Sequence, residues 1–115
     1  MPQKVSPLLV EKYDIANKIL NRFADLESRH ILFSIIKKPK TVKKISEELK
    51  IPQSSAYKKI QDLLDGSLIL EVKRGFGDNG GIIKYYQSRI DDVNISISRF
   101  EPEISFQKNS RIKNA

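Results

Sequence analysis

Side chains able to do chemistry are few and scattered along this chain. It holds one histidine, His30, and no cysteine, which removes thiolate zinc sites, thiol nucleophiles and disulfide frameworks. With no second imidazole or thiolate nearby in sequence, His30 reads as a surface residue at a helix start and not as a metal ligand. Asp91 and Asp92 could be taken for a carboxylate pair sharing a proton. Adjacent residues on a strand point to opposite faces, however, so a strand end or turn accounts for them better. The run Gly-Phe-Gly-Asp-Asn-Gly-Gly at 75–81 lacks the Lys-Ser/Thr and following helix of a phosphate-binding P-loop. No nucleophile, base and orienting group assemble, so the chain is expected not to be an enzyme and to use no cofactor or metal.

What remains is electrostatic. Lys and Arg number 21 against 14 Asp and Glu, a net charge of +7 that favours a polyanionic partner. The excess is concentrated: residues 37–74 carry ten basic and five acidic side chains, whereas the segments before and after each net +1. Within that stretch Lys43 and Lys44 follow the helix-capping type Thr41, Lys58 stands inside an apolar-striped segment, and Lys73 and Arg74 lead into the glycine-rich run. No apolar run has the length of a membrane span or a secretory signal. A soluble, cytoplasmic protein with no membrane partner is the expectation.

The elements that must position these charges can be read from periodicity and punctuation. A chain of 115 residues with 39% apolar and 30% charged residues can close one modest core, so residues 1–115 are expected to form a single domain. Ser6-Pro7 has the N-cap and first-turn chemistry of a helix over 6–24, with Leu8, Leu9, Tyr13, Ala16, Ile19, Leu20 and Phe23 on one side. A second helix is expected from Leu26 to Ile36, stopped before Pro39, with Lys37 and Lys38 suiting its C-terminal dipole. Thr41 opens a short helix to Lys50. Pro52 breaks the chain and starts another over 53–65, striped by Ala56, Ile60, Leu63 and Leu64 and stopped by Gly66 at C′. Leu68–Lys73 and Ile82–Ser88 have strand composition around a glycine-rich loop, and alternation over 93–107 predicts a second hairpin. The polar 108–115 tail is expected to fray.

Helix, helix, turn, helix, strand, glycine-rich loop, strand is the order a winged helix-turn-helix requires. The segment TVKKISEELKIPQSSAYKKIQDLLDGSLILEVKRGFGDNGGIIKYY, preceded by LESRHILFSI, resembles the DNA-binding core of ArsR-like archaeal and bacterial winged-helix regulators over roughly residues 26–88. IPQSSAYKKIQDLLDGSLI is its most specific part. The family's usual glycine before the leucine is Ser67 here, with Gly66 one place earlier. The resemblance implies an α+β winged helix that binds double-stranded DNA as a transcriptional regulator. It also implies dimerisation through flanking elements. Some relatives sense metals through cysteines, which this chain lacks. Any small-molecule effector is left open.

Roles then follow from helix geometry. With Ala56, Ile60 and Leu63 facing the core, Ser54, Ser55, Tyr57, Lys58 and Gln61 project outward as groove candidates. Gln61 can pair bidentately with adenine, Lys58 can reach guanine or phosphate, and the serines sit at the helix start. Lys43, Lys44 and Gln53 suit phosphate positioning. Lys73 and Arg74 are expected at the base of a mobile wing loop over 74–81, on backbone or minor groove. Phe76 is expected to anchor that wing against the body, with contact to DNA the second reading. A homodimer is expected through the broad apolar face of the first helix, the C-terminal hairpin being an equal candidate. The rival reading is a winged-helix protein-interaction module of transcription or RNA-processing machinery. A neutral or acidic helix over 53–65 would mark it, and this helix carries Lys58 and Lys59.

Overall fold

The computed structural model describes residues 7–98 and 102–112, with side chains from Ile15 onward. The expected cap at Ser6 and the stripe positions Leu8, Leu9 and Tyr13 therefore lie outside the described side chains, as do residues 113–115 of the tail. Four helices are followed by two hairpins: α1 (Pro7–Ala24), α2 (Leu26–Ser34), α3 (Val42–Leu49), α4 (Gln53–Asp65), β1 (Ile69–Phe76), β2 (Ile82–Ser88), β3 (Ile90–Ile97) and β4 (Pro102–Lys108). The architecture is α+β, and it is elongated, at 60 × 29 × 23 Å.

The apolar stripes meet as the periodicity demands. Ile31, Leu32 and Ile35 from the α2 end, Ile45 from α3, and Ala56, Ile60 and Leu63 from α4 are buried against one another. Leu68, Ile69, Tyr86 and Ile90 close the sheet side, and Phe23 of α1 completes the cluster. Each fully buried side chain of this size contributes roughly 1.5–3 kcal/mol, which is why α3, only eight residues long, is held by packing and not by its own propensity.

Several boundaries differ from expectation. Helix α2 ends at Ser34, not Ile36, because Ile35 leaves helical geometry (φ −115°, ψ 24°) to drop into the core. Its carbonyl then accepts from the Ser88 amide at 3.0 Å. Lys37 and Lys38 thus lie beyond the helix they were expected to cap. Lys40 forms a two-bond bridge with Tyr86 (3.0 and 2.9 Å), adding a minimal third strand beside β1–β2 that no periodicity announced.

The stop after α4 is also made differently. Gly66 has an ordinary φ of −82°, while Ser67 takes the left-handed conformation at φ 58°. Gly66 serves space instead: a Cβ there would meet the Arg22 Nε at 2.8 Å.

The described part of the tail, up to Ile112, is docked, contrary to the fraying expected. Asn109 is fully buried, donating from Nδ2 to the carbonyls of Ile36 and Ser88, both at 2.9 Å, while its backbone amide donates to Arg89 at 2.8 Å. Ile112 is buried after it. This pins the base of the β3–β4 hairpin. Its register pairs Val93 with Phe106, Ile95 with Ile104 and Ile97 with Pro102, so one face is apolar. Phe106 packs toward Phe23, ring centroids 6.3 Å apart. The carboxylates Asp91 and Asp92 have separate partners, Arg111 at 3.1 Å and the Val93 amide at 2.9 Å.

Candidate nucleic-acid interface

The α3–turn–α4 unit is fixed residue by residue. Thr41 caps α3, its side chain accepting from the Lys44 amide at 3.1 Å. Lys50 terminates α3 in the left-handed region, φ 57°. The buried Ser46 then locks the turn, its hydroxyl donating to the Ile51 carbonyl at 2.6 Å and its carbonyl accepting from the Ile51 amide at 3.2 Å. Pro52 starts α4 with extended backbone and no side-chain cap. The Ser55 and Ala56 amides donate to the Pro52 carbonyl, both at 3.1 Å, which leaves the amides of exposed Gln53 and Ser54 without a side-chain cap, an arrangement with intrinsic attraction for anions.

Two ties hold α4 from the α1–α2 corner. Lys59 Nζ lies 2.7 Å from Asp25 Oδ2 and 3.5 Å from Glu27. The same Asp25 oxygen caps α2, accepting from the Ser28 amide at 3.0 Å and hydroxyl at 2.7 Å. The Lys59 ammonium, then the Ser28 donors, hold the Asp25 carboxyl down at about 2. Arg22 donates to the Asp62 carbonyl at 2.8 Å and touches its carboxylate at 3.4 Å. Lys59 is thus spent inside the molecule and is not part of a basic reading face.

Of the expected groove residues, Ser54, Tyr57 and Lys58 are exposed, and Ser55 and Gln61 are half-buried. Ser55, Lys58 and Gln61 line the open groove between α4 and the corner formed by Asn21, Arg22 and Asp25. Tyr57 is 54% exposed. Lys43 and Lys58 have no ion-pair partner among the described residues, while Lys44 lies 3.9 Å from Glu48. Toward its C-terminus the outer face of α4 turns acidic at Asp62 and Asp65, so any phosphate contact belongs to its first two turns.

The wing differs most from the sequence reading. Strand β1 runs on to Phe76, so Lys73 and Arg74 are strand residues and the loop is only 77–81. That loop closes on itself: the Gly77 amide donates to the Gly81 carbonyl (2.8 Å), the Gly80 amide to the Gly77 carbonyl (2.9 Å), and Asn79 Oδ1 accepts from the Gly81 amide (3.1 Å). Arg74 forms a two-point ion pair with Glu71 across the bulge at Val72. The pair holds the Glu71 carboxyl below its usual range and raises the guanidinium. Lys73 lies over the Tyr85 ring, 4.6 Å from its centroid. Phe76 is 82% exposed, so it does not anchor the wing to the body. Sequence reasoning also missed Lys84, directly opposite Arg74; counting back from the loop along both strands would have found it.

A solved structure, NolR from Sinorhizobium fredii, superposes on this chain with a TM-score of 0.61 at 23% sequence identity, covering 78% of this chain and 84% of NolR. The shared fold is a winged helix. No protein-family model matches the chain and no curated protein matches it. Among the described residues no helix is long and apolar enough to cross a membrane and no cluster of His, Asp and Glu could hold a metal ion. His30 is exposed.

Proposed function

We propose that this chain is a cytoplasmic, ArsR-like transcriptional regulator that binds double-stranded DNA as a homodimer. The observation that carries this reading is the presentation of α4: its core face is fully buried, two ion-pair ties fix its flank, and its uncapped start carries exposed Gln53, Ser54, Tyr57 and Lys58. A helix held this firmly with a polar, cationic first half is suited to a major groove of about 12 Å width. In this reading Ser54, Ser55, Tyr57, Lys58 and Gln61 face the bases, Lys43, Lys44 and Gln53 hold phosphates, and the wing cations Lys73 and Arg74 meet the adjoining backbone. Arg74 must then exchange Glu71 for a phosphate, so Glu71 restrains binding.

Salt titration of duplex binding tests this. Each phosphate contact contributes about 0.9 to the slope of log affinity against log salt. Lys43→Ala should weaken all duplexes and lower the slope by about one, whereas Glu71→Gln should tighten binding by freeing Arg74. Absence of duplex binding at low salt would overturn the reading in favour of a protein-interaction module.

A further inference from the structure

Phe76 and Ile82 are the two most exposed large apolar side chains among the described residues, at 82% and 62%. They are cross-strand partners on the last rung of the wing before the loop, and the pair Arg74 and Lys84 stands two rungs back. Residues two apart on a strand share a face, and so do direct cross-strand partners. The same face of the wing therefore reads apolar pair, then cation pair. Two cations placed directly opposite each other repel, and the Glu71 carboxylate, ion-paired with Arg74, offsets that repulsion. Beyond this rung lies the loop 77–81, with exposed Asp78 at its turn, and the three hydrogen bonds described above close it on itself, which holds the two strand ends that carry the pair together.

An apolar rung two residues wide, backed at once by two cations, fits a narrow surface with apolar walls and anionic borders. The minor groove of duplex DNA is such a surface: roughly 6 Å wide, walled by the carbon faces of the sugars above a floor of base edges, and bordered by phosphates. Phe and Ile are among the side chains that wedge between base steps there. We infer that the wing tip is an apolar wedge for the minor groove, Phe76 and Ile82 entering against sugars and a base step while Arg74 and Lys84 hold the flanking phosphates. The inference rests on the DNA-binding reading above and adds a deformation of the duplex to it.

The chain has no tryptophan, so Phe76→Trp places a unique fluorophore at the tip, and the exposure of the position leaves the fold undisturbed. Duplex binding to a mixed-sequence DNA of about 30 base pairs, long enough for two half-sites one turn apart, is followed by anisotropy of a label on the DNA. The tip is followed by the emission of the introduced indole and its quenching by acrylamide. The expected result is that the indole is quenched by stacking and shielded from acrylamide as the duplex binds, and that Phe76→Ala weakens binding about fivefold or more. If the duplex binds while the indole stays accessible and Phe76→Ala binds as the wild type does, the wedge is overturned and the DNA-binding reading stands. No duplex binding overturns both. Shielding by phosphatidylglycerol vesicles but not by DNA, or by raised protein concentration alone, would overturn the wedge by assigning the tip to a membrane or to a second copy.

Discussion

Asp25 makes one carboxylate serve two elements, capping α2 through Ser28 and holding α4 through Lys59. Its carboxyl, lowered from 3.8 to about 2, ties stability to pH with a defined sign. A group whose folded value is depressed contributes fully above its unfolded value and loses the contribution as pH falls through the folded one. The window is therefore acidic, from just above 3.8 down to about 2. The side chain is 41% exposed, so solvent screening reduces the contribution to about 1 kcal/mol. Asp25→Asn separates the two roles, because asparagine caps helices as well as aspartate does but brings no charge to an ion pair with Lys59. It should be less stable than wild type by about that amount near neutrality. The difference should shrink toward zero near pH 2, as read from urea midpoints across the acid range.

At the scale of elements, the end of α4 gives the clearest test. Ser67 occupies the left-handed region, where a side chain costs about 1 kcal/mol relative to glycine. Ser67→Gly should raise stability by about 0.5–1 kcal/mol, less whatever the more flexible unfolded chain takes back. Gly66→Ala should lower it, since the new methyl displaces Arg22 from the Asp62 carbonyl; thermal midpoints of the pair would show opposite shifts. Much of this level was legible in the sequence. The four helices and both hairpins follow from the stripes at Ala56, Ile60 and Leu63, the stop at Pro52 and the alternation at Val93, Ile95 and Ile97. Three features stayed hidden for physical reasons. The need for a glycine at position 66 comes from Arg22, far from it in sequence, and not from the left-handed bend, which falls on Ser67. Ion pairing decides which cations are free, so Lys59 and Arg74 looked like Lys58. The docking of Asn109 rests on a carbonyl at Ile36, and backbone carbonyls leave no mark in a sequence.

For the molecule as a whole, the distal part of the β3–β4 hairpin exposes Ile97 at 59% and Ile95 at 36%, and α1 exposes Ile15 at 54%. A lone two-stranded hairpin with an apolar face is marginal in water, and a second copy covering that face would supply what the proposed homodimer needs. Ile95→Asp with Ile97→Asp should yield a folded monomer that has lost affinity for paired half-sites about one duplex turn, roughly 34 Å, apart. Light scattering checks the mass and circular dichroism the fold. A wild type that is monomeric at high micromolar concentration would remove the dimer.

The carbonyl of Ile36 accepts two side-chain amides, from Gln87 and Asn109, which follow it by 51 and 73 residues. A chain made from its N-terminus onward can nucleate α2, α3 and α4 from neighbours in sequence, but this junction closes last. Until β4 and then Asn109 have emerged from the ribosome, β3 lacks first its partner strand and then its anchor, and Val93, Ile95 and Ile97 stand on an open edge able to pair with other chains. The bond that secures the hairpin thus also sets the interval of synthesis in which the protein is most exposed to misassembly.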